Sequence, residues 1–149
     1  MKKVVYSMAL IVLTSFGIQD KSRTIDYNGG PVSVVYEVDD KFYGTYKGRK
    51  AGFLELKKDG NGAYKYDIFG FALPGCKATP IPIIWGFLMD EQGKPVRFER
   101  EYGWSYPILF QATTDQGFQG CRKKVQLDFI IERKDGSLGV SSSDDWLKQ

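Results

Sequence analysis

An all-β domain is the fold class this sequence predicts, on three observations. From Pro31 onward apolar and polar residues alternate with a period of two, the spacing of side chains on a pleated strand. Clusters of Gly, Asp, Asn and Pro break the alternation at short, even intervals, as turns do. No stretch carries an apolar stripe of helical period over three turns. Strands without crossover helices pair antiparallel, and this many either close or stack. A single antiparallel β-barrel is the first expectation and a β-sandwich the alternative.

Each element follows from its own pattern. Ile18–Gly30 is polar and is expected to be a loose lead-in to a domain spanning residues 31–149. Val32, Val34, Tyr36 and Val38 share one face of the first strand, and Phe42, Gly44 and Tyr46 one side of the next. Ala51–Lys57 and Ala63–Phe69 flank Lys58-Asp59-Gly60-Asn61-Gly62, a hairpin signal because Gly and Asn accept positive φ at little cost. The oxygens of Asp59 and Asn61 do not make a calcium loop, since Ala63 stands at position five and no glutamate at position twelve. Ile81–Met89 is apolar on both faces, so it is central or covered from outside. Asp90–Lys94 turns the chain into Pro95–Glu101, and Tyr106, Ile108, Phe110 and Ala112 mark the strand after it. Val125, Leu127, Phe129 and Ile131 alternate with Lys124, Gln126, Asp128 and Glu132, which predicts an amphipathic strand with the apolar set inward. Asp135-Gly136 closes a hairpin into Ser137–Ser142, and Asp144–Gln149 is expected to form at most a terminal turn. The total is about nine strands.

The first 17 residues read as a signal peptide. Lys2 and Lys3 precede the apolar, uncharged run Val4–Phe16, and Ser15-Phe16-Gly17 puts small residues where a signal peptidase reads. The protein is therefore expected to be exported, to a bacterial periplasm or the medium. Cleavage after Gly17 leaves 132 of the 149 residues, and losing Lys2 and Lys3 lowers the net charge from +3 to +1. So balanced a surface lacks the concentrated basic field that nucleic acid requires. Without a cysteine at the cleavage site, no lipid anchor is expected there. In an oxidising compartment the two cysteines, Cys76 and Cys121, are expected to form a disulfide.

Histidine is absent. That excludes Ser-His-Asp and Cys-His nucleophile systems, a histidine base and imidazole metal ligands, so neither a cofactor, a metal nor a catalytic residue is expected.

Gly44-Thr45-Tyr46, then Phe53–Lys57, Asp59-Gly60 and Tyr64–Asp67, resemble the opening of small lipocalin-like (calycin) barrels. That family begins with a Gly-x-Trp strand, so Tyr46 departs from its pattern, as does the lack of a helix after the barrel. The resemblance implies a meandering barrel that binds a small apolar molecule or a protein at its cavity or mouth. It also implies that Arg133 packs against the first-strand aromatic.

Aromatic residues make up 15% of the chain. Most fill a β core, but Trp85, Tyr102, Trp104 and Tyr106 are candidate contacts, with Tyr102–Pro107 read as a strand end or loop. Arg100 shares parity with Val96 and Phe98, which points it toward the core and toward a carboxylate, a carbonyl or a ligand anion. Glu99 and Glu101 share a face with Arg97 and read as solvated charge rather than a glycosidase pair. Gly117–Lys124 is a basic loop. The expected function is a secreted, non-catalytic module that binds a small apolar or aromatic-stacking ligand. The alternative is a protein-interaction module, such as an inhibitor of a secreted hydrolase or a surface-assembly component.

Overall fold

The computed structural model describes residues 21–48, 52–65, 80–114, 124–140 and 146–149. Met1–Gly17 lies outside these residues, as do most of the basic Gly117–Lys124 loop and both Cys76 and Cys121. The disulfide expected of the two cysteines is therefore not shown.

The described chain is all β apart from one 3-10 turn, with eleven strands in antiparallel pairing. They are β1 (Ser22–Tyr27), β2 (Gly30–Val35), β3 (Gly44–Lys47), β4 (Phe53–Leu56), β5 (Asn61–Lys65), β6 (Ile81–Leu88), β7 (Phe98–Arg100), β8 (Gly103–Ala112), β9 (Val125–Arg133), β10 (Leu138–Val140) and β11 (Trp146–Lys148). Eight of them close a barrel in the order β3-β4-β5-β6-β8-β9-β10-β11, a meander in which β7 is a side excursion on β8. The shape is compatible with a lipocalin-like barrel.

Closure depends on β11, which pairs Lys148 with Tyr46 and Leu147 with Lys47 of β3. Sequence reading expected only a terminal turn there, because three strand residues are too few to show a period. The polar lead-in is corrected too. Ser22–Tyr27 is a strand, turned by Asn28 (φ 51°) and Gly29 (φ 83°) into β2. The local signal for this hairpin is the Asn-Gly pair between two short runs.

The core lines the barrel interior. Trp85, Phe87, Ile83, Tyr46, Leu54, Leu56, Ile108, Phe110 and Ile130 are all sealed from solvent. The 3-10 turn Asp40–Phe42 caps one end, with the Phe42 ring centroid 5.1 Å from Phe87 and 4.9 Å from Tyr106. A second small core lies on the outside, where Ile25 and Val34 of the β1–β2 hairpin cover Leu109, with Val125 and Leu127 beside them. Gly86 permits this contact, since a Cβ there would stand 2.5 Å from Val34 Cγ2. The outer face of β6 is thereby covered at Gly86 and Leu88, while Pro82 at its other end stays exposed.

Because Leu109 is buried under the hairpin, truncating it leaves a void rather than a solvated gap. Leu109→Ala is expected to cost about 2–5 kcal/mol of unfolding free energy in urea titration. A solvent-facing outer-barrel leucine would cost under about 0.5 kcal/mol. Gly86→Ala is expected to cost about 1–3 kcal/mol by overpacking Val34.

Candidate functional site

The faces of β9 are reversed from the amphipathic reading. Register pairs Phe110 with Gln126, Ile108 with Asp128 and Tyr106 with Ile130, and directly opposed residues share a face. Gln126, Asp128, Ile130 and Glu132 therefore look into the barrel. Val125, Leu127, Phe129 and Ile131 look out, the first two toward the β1–β2 hairpin. The alternation is as expected but its sides are exchanged, because the β1–β2 hairpin supplies an apolar cover on the outside.

This reversal puts a carboxylate inside an aromatic barrel. Asp128 is half-buried, and its Oδ1 accepts the Phe129 N–H at 2.8 Å. No lysine or arginine forms an ion pair with it among the described residues. Burial, only partly offset by that hydrogen bond, pushes its acid up to about 6. One step along the inner face, Gln126 Nε2 donates to Tyr64 Oη at 3.2 Å across the interior, and the Tyr64 ring stacks on Phe110 at 5.2 Å. Asp128, Gln126, Tyr64 and Phe110 form the candidate site, a polar patch on an aromatic wall. They stand toward the barrel end away from the Phe42 cap.

The capped end carries the other inward carboxylate of β9, and there the fold supplies partners. Glu132 Oε1 lies 2.6 Å from Lys41 Nζ, and Tyr106 Oη donates to Glu132 Oε2 at 2.8 Å. Burial pushes the Glu132 acid up, but Lys41 and Tyr106 outweigh it and hold the carboxyl below its usual range. Arg97 lies 4.1 Å over the Trp104 ring. A groove of about 800 Å³ opens here between Val38–Phe42 and Asp90–Arg97.

The structure separates the residues proposed from sequence. Trp85 is a core residue with no exposure, its Nε1–H bonded to Asn61 O at 2.9 Å. Tyr106 is buried at the capped end, and Trp104 packs beside that core. Tyr102 is 45% exposed at the β7–β8 turn. Arg100 does not turn inward: it is exposed on edge strand β7, 5.8 Å from the Phe98 ring. Parity failed there because β7 projects past the barrel and has no core beneath it. Arg133 faces outward across from Gly103 rather than against Tyr46, whose hydroxyl donates to Phe42 O at 2.7 Å. Glu99 and Glu101 are exposed.

Among the described residues no group of three or more Asp, Glu, Cys or His side chains is arranged to hold a metal ion. Among the described residues the inner-face neighbours of Asp128 on β8 and β9 are Gln126, Ile108 and Ile130, none of them a nucleophile or a second acid. Such an arrangement can hold a group by charge and hydrogen bonding. No protein-family model, curated protein or solved structure matches the chain.

The raised acid of Asp128 fixes a pH dependence. Folded Asp128 retains its proton up to about 6, while the unfolded carboxyl releases it near 3.8. Stability from this group is therefore complete below the unfolded value and is lost as pH rises through about 6, by at most roughly 3 kcal/mol. Asp128→Asn keeps the acceptor for Phe129. It is expected to raise the melting temperature at pH 7.5 while changing little at pH 3.5, as calorimetry at both values would show.

Proposed function

We propose that this protein is an exported, non-catalytic binding module whose barrel takes a small aromatic molecule bearing a cationic amine. The carrying observation is Asp128, an inward carboxylate for which the described fold provides no cation. A protonated amine placed beside it would supply the missing charge, and the Gln126–Tyr64 pair would supply hydrogen-bond partners. The stacked Tyr64 and Phe110 rings offer the aromatic wall. This departs from a purely apolar ligand, which would leave the carboxylate buried and unpaired. The mode of binding, inside a meandering barrel, is lipocalin-like.

Export rests on the basic and apolar leader Met1–Gly17. The Cys76–Cys121 disulfide remains part of the proposal and has topological support. Thr113 N donates to Pro82 O and Ala112 N to Lys124 O, so the connections carrying the two cysteines leave from neighbouring strand ends. A protein-interaction role is the second reading, favoured by Phe98, 46% exposed, and Tyr102 on and beside an edge strand.

Phenethylamine and 3-phenylpropionate, matched in ring and length but opposite in charge, test the proposal by calorimetric titration at pH 7.5. The amine is expected to bind and the acid not. Its affinity should weaken at least tenfold in Asp128→Asn, and should also fall in the wild type as pH drops below 6. No binding of the amine, or equal binding by wild type and Asp128→Asn, would overturn it.

A further inference from the structure

A second charged arrangement lies on the outer surface of β7, β8 and β9. Register pairs Arg100 with Gly103 and Gly103 with Arg133, so two arginines flank one glycine on a single face of three adjacent strands. Two strand spacings put their backbones roughly 10 Å apart. Gly103 leaves the space between them without a side chain. Its φ of 141° and the Glu132 carbonyl, 2.0 Å from where a Cβ would be, require glycine there. The result is a cleft of about 290 Å³, into which Lys134 and Gly136 of the β9–β10 turn also face.

The charge balance in this cleft is unsettled. Arg133 Nη1 is buried and has no hydrogen-bond partner, so a charged donor is left without the acceptor that burial calls for. Two carboxylates also line the cleft, Glu99 and Glu132. Glu132 is already committed to Lys41 and Tyr106, and Glu99 pairs in register with Trp104, on the opposite face of the ribbon from Arg100. Three cations thus share one small concavity without a carboxylate bonded to any of them among the described residues. Exposed Phe98 and Tyr102 flank it.

We propose that this cleft is a binding site for an oxyanion, a carboxylate or a phosphate, held between Arg100 and Arg133 with Lys134 at its rim. A planar guanidinium on each side suits the paired oxygens of either group. The site stands at the barrel end opposite Asp128 and does not depend on ligand uptake there.

Titration of the 15N-labelled full chain with sodium phosphate and with sodium benzoate tests this, with sodium chloride at matched ionic strength as reference. The expected result is saturable shifts of the Gly103 and Gly136 amides and the Arg133 Nε–H for at least one oxyanion, and none for chloride. The tighter of the two identifies a phosphate-bearing or a carboxylate-bearing ligand. Arg100→Gln, at an exposed position, and Lys134→Gln should each weaken binding at least fivefold. Arg97→Gln, whose guanidinium lies over Trp104 but does not line the cleft, should leave it unchanged. Shifts absent with both oxyanions, equal shifts with chloride, or equal weakening by Arg97→Gln would overturn the site.

Discussion

The architecture turns on how β6 divides its two edges among three partners. Along one edge β8 pairs with residues Ile83–Phe87. On the other, β5 pairs with Ile81–Ile84 and β2 then takes Phe87 and Leu88. The first division continues the barrel; the second launches the β1–β2 hairpin out of it. A strand whose hydrogen bonds served only β5 and β8 would leave that hairpin without backbone anchorage, and a two-stranded hairpin is at best marginal alone. Gly86 belongs to the same constraint, because any side chain there would strike Val34 as the hairpin crosses.

From that branch the inside of the barrel acquires its freedom. With Ile25 and Val34 lying over Leu109, the outer faces of β8 and β9 form an apolar core of their own. The apolar half of β9 is consumed outside, so its polar half turns inward without loss of apolar burial on that strand. Ordinarily a half-exposed barrel strand places its polar residues in water. Here the pattern is the same while the cover is reversed, and Gln126 and Asp128 become interior residues.

This is also why the fold was legible in the sequence and the site was not. Turn chemistry and period-two alternation identify strands directly, and nine expected strands correspond to β2–β10, with described boundaries shifted by a few residues: β8 begins at Gly103, within a stretch expected to be a strand end or loop. Alternation alone carries no sign, however: it says that Leu127 and Asp128 face opposite ways, not which of them faces the core. The sign was set by β1, whose only local mark is Asn28-Gly29, and by long-range pairings no single segment encodes. Likewise Arg100 obeyed its parity but met no core, since β7 extends past the barrel wall. Trp85 and Tyr106 were prominent for their size, and size is what fills a barrel, so they went to the packing.

The two inward carboxylates of β9 meet opposite surroundings. Asp128 and Glu132 are four residues apart on one strand and share a face, so backbone geometry treats them alike. Glu132 receives Lys41 from the 3-10 cap and the Tyr106 hydroxyl, and its acid is held low. Among the described residues Asp128 receives only the amide of its own neighbour, and its acid is held high. A fold that can place a lysine against one interior acid has the means to pair another, or to replace it with an apolar residue of similar size. Retaining in the barrel interior a carboxylate with no ion pair among the described residues costs stability at neutral pH. Such local cost is what binding sites carry when the missing partner arrives from outside, and Arg133 at the opposite end, whose buried Nη1 lacks a partner, has the complementary charge and the same logic.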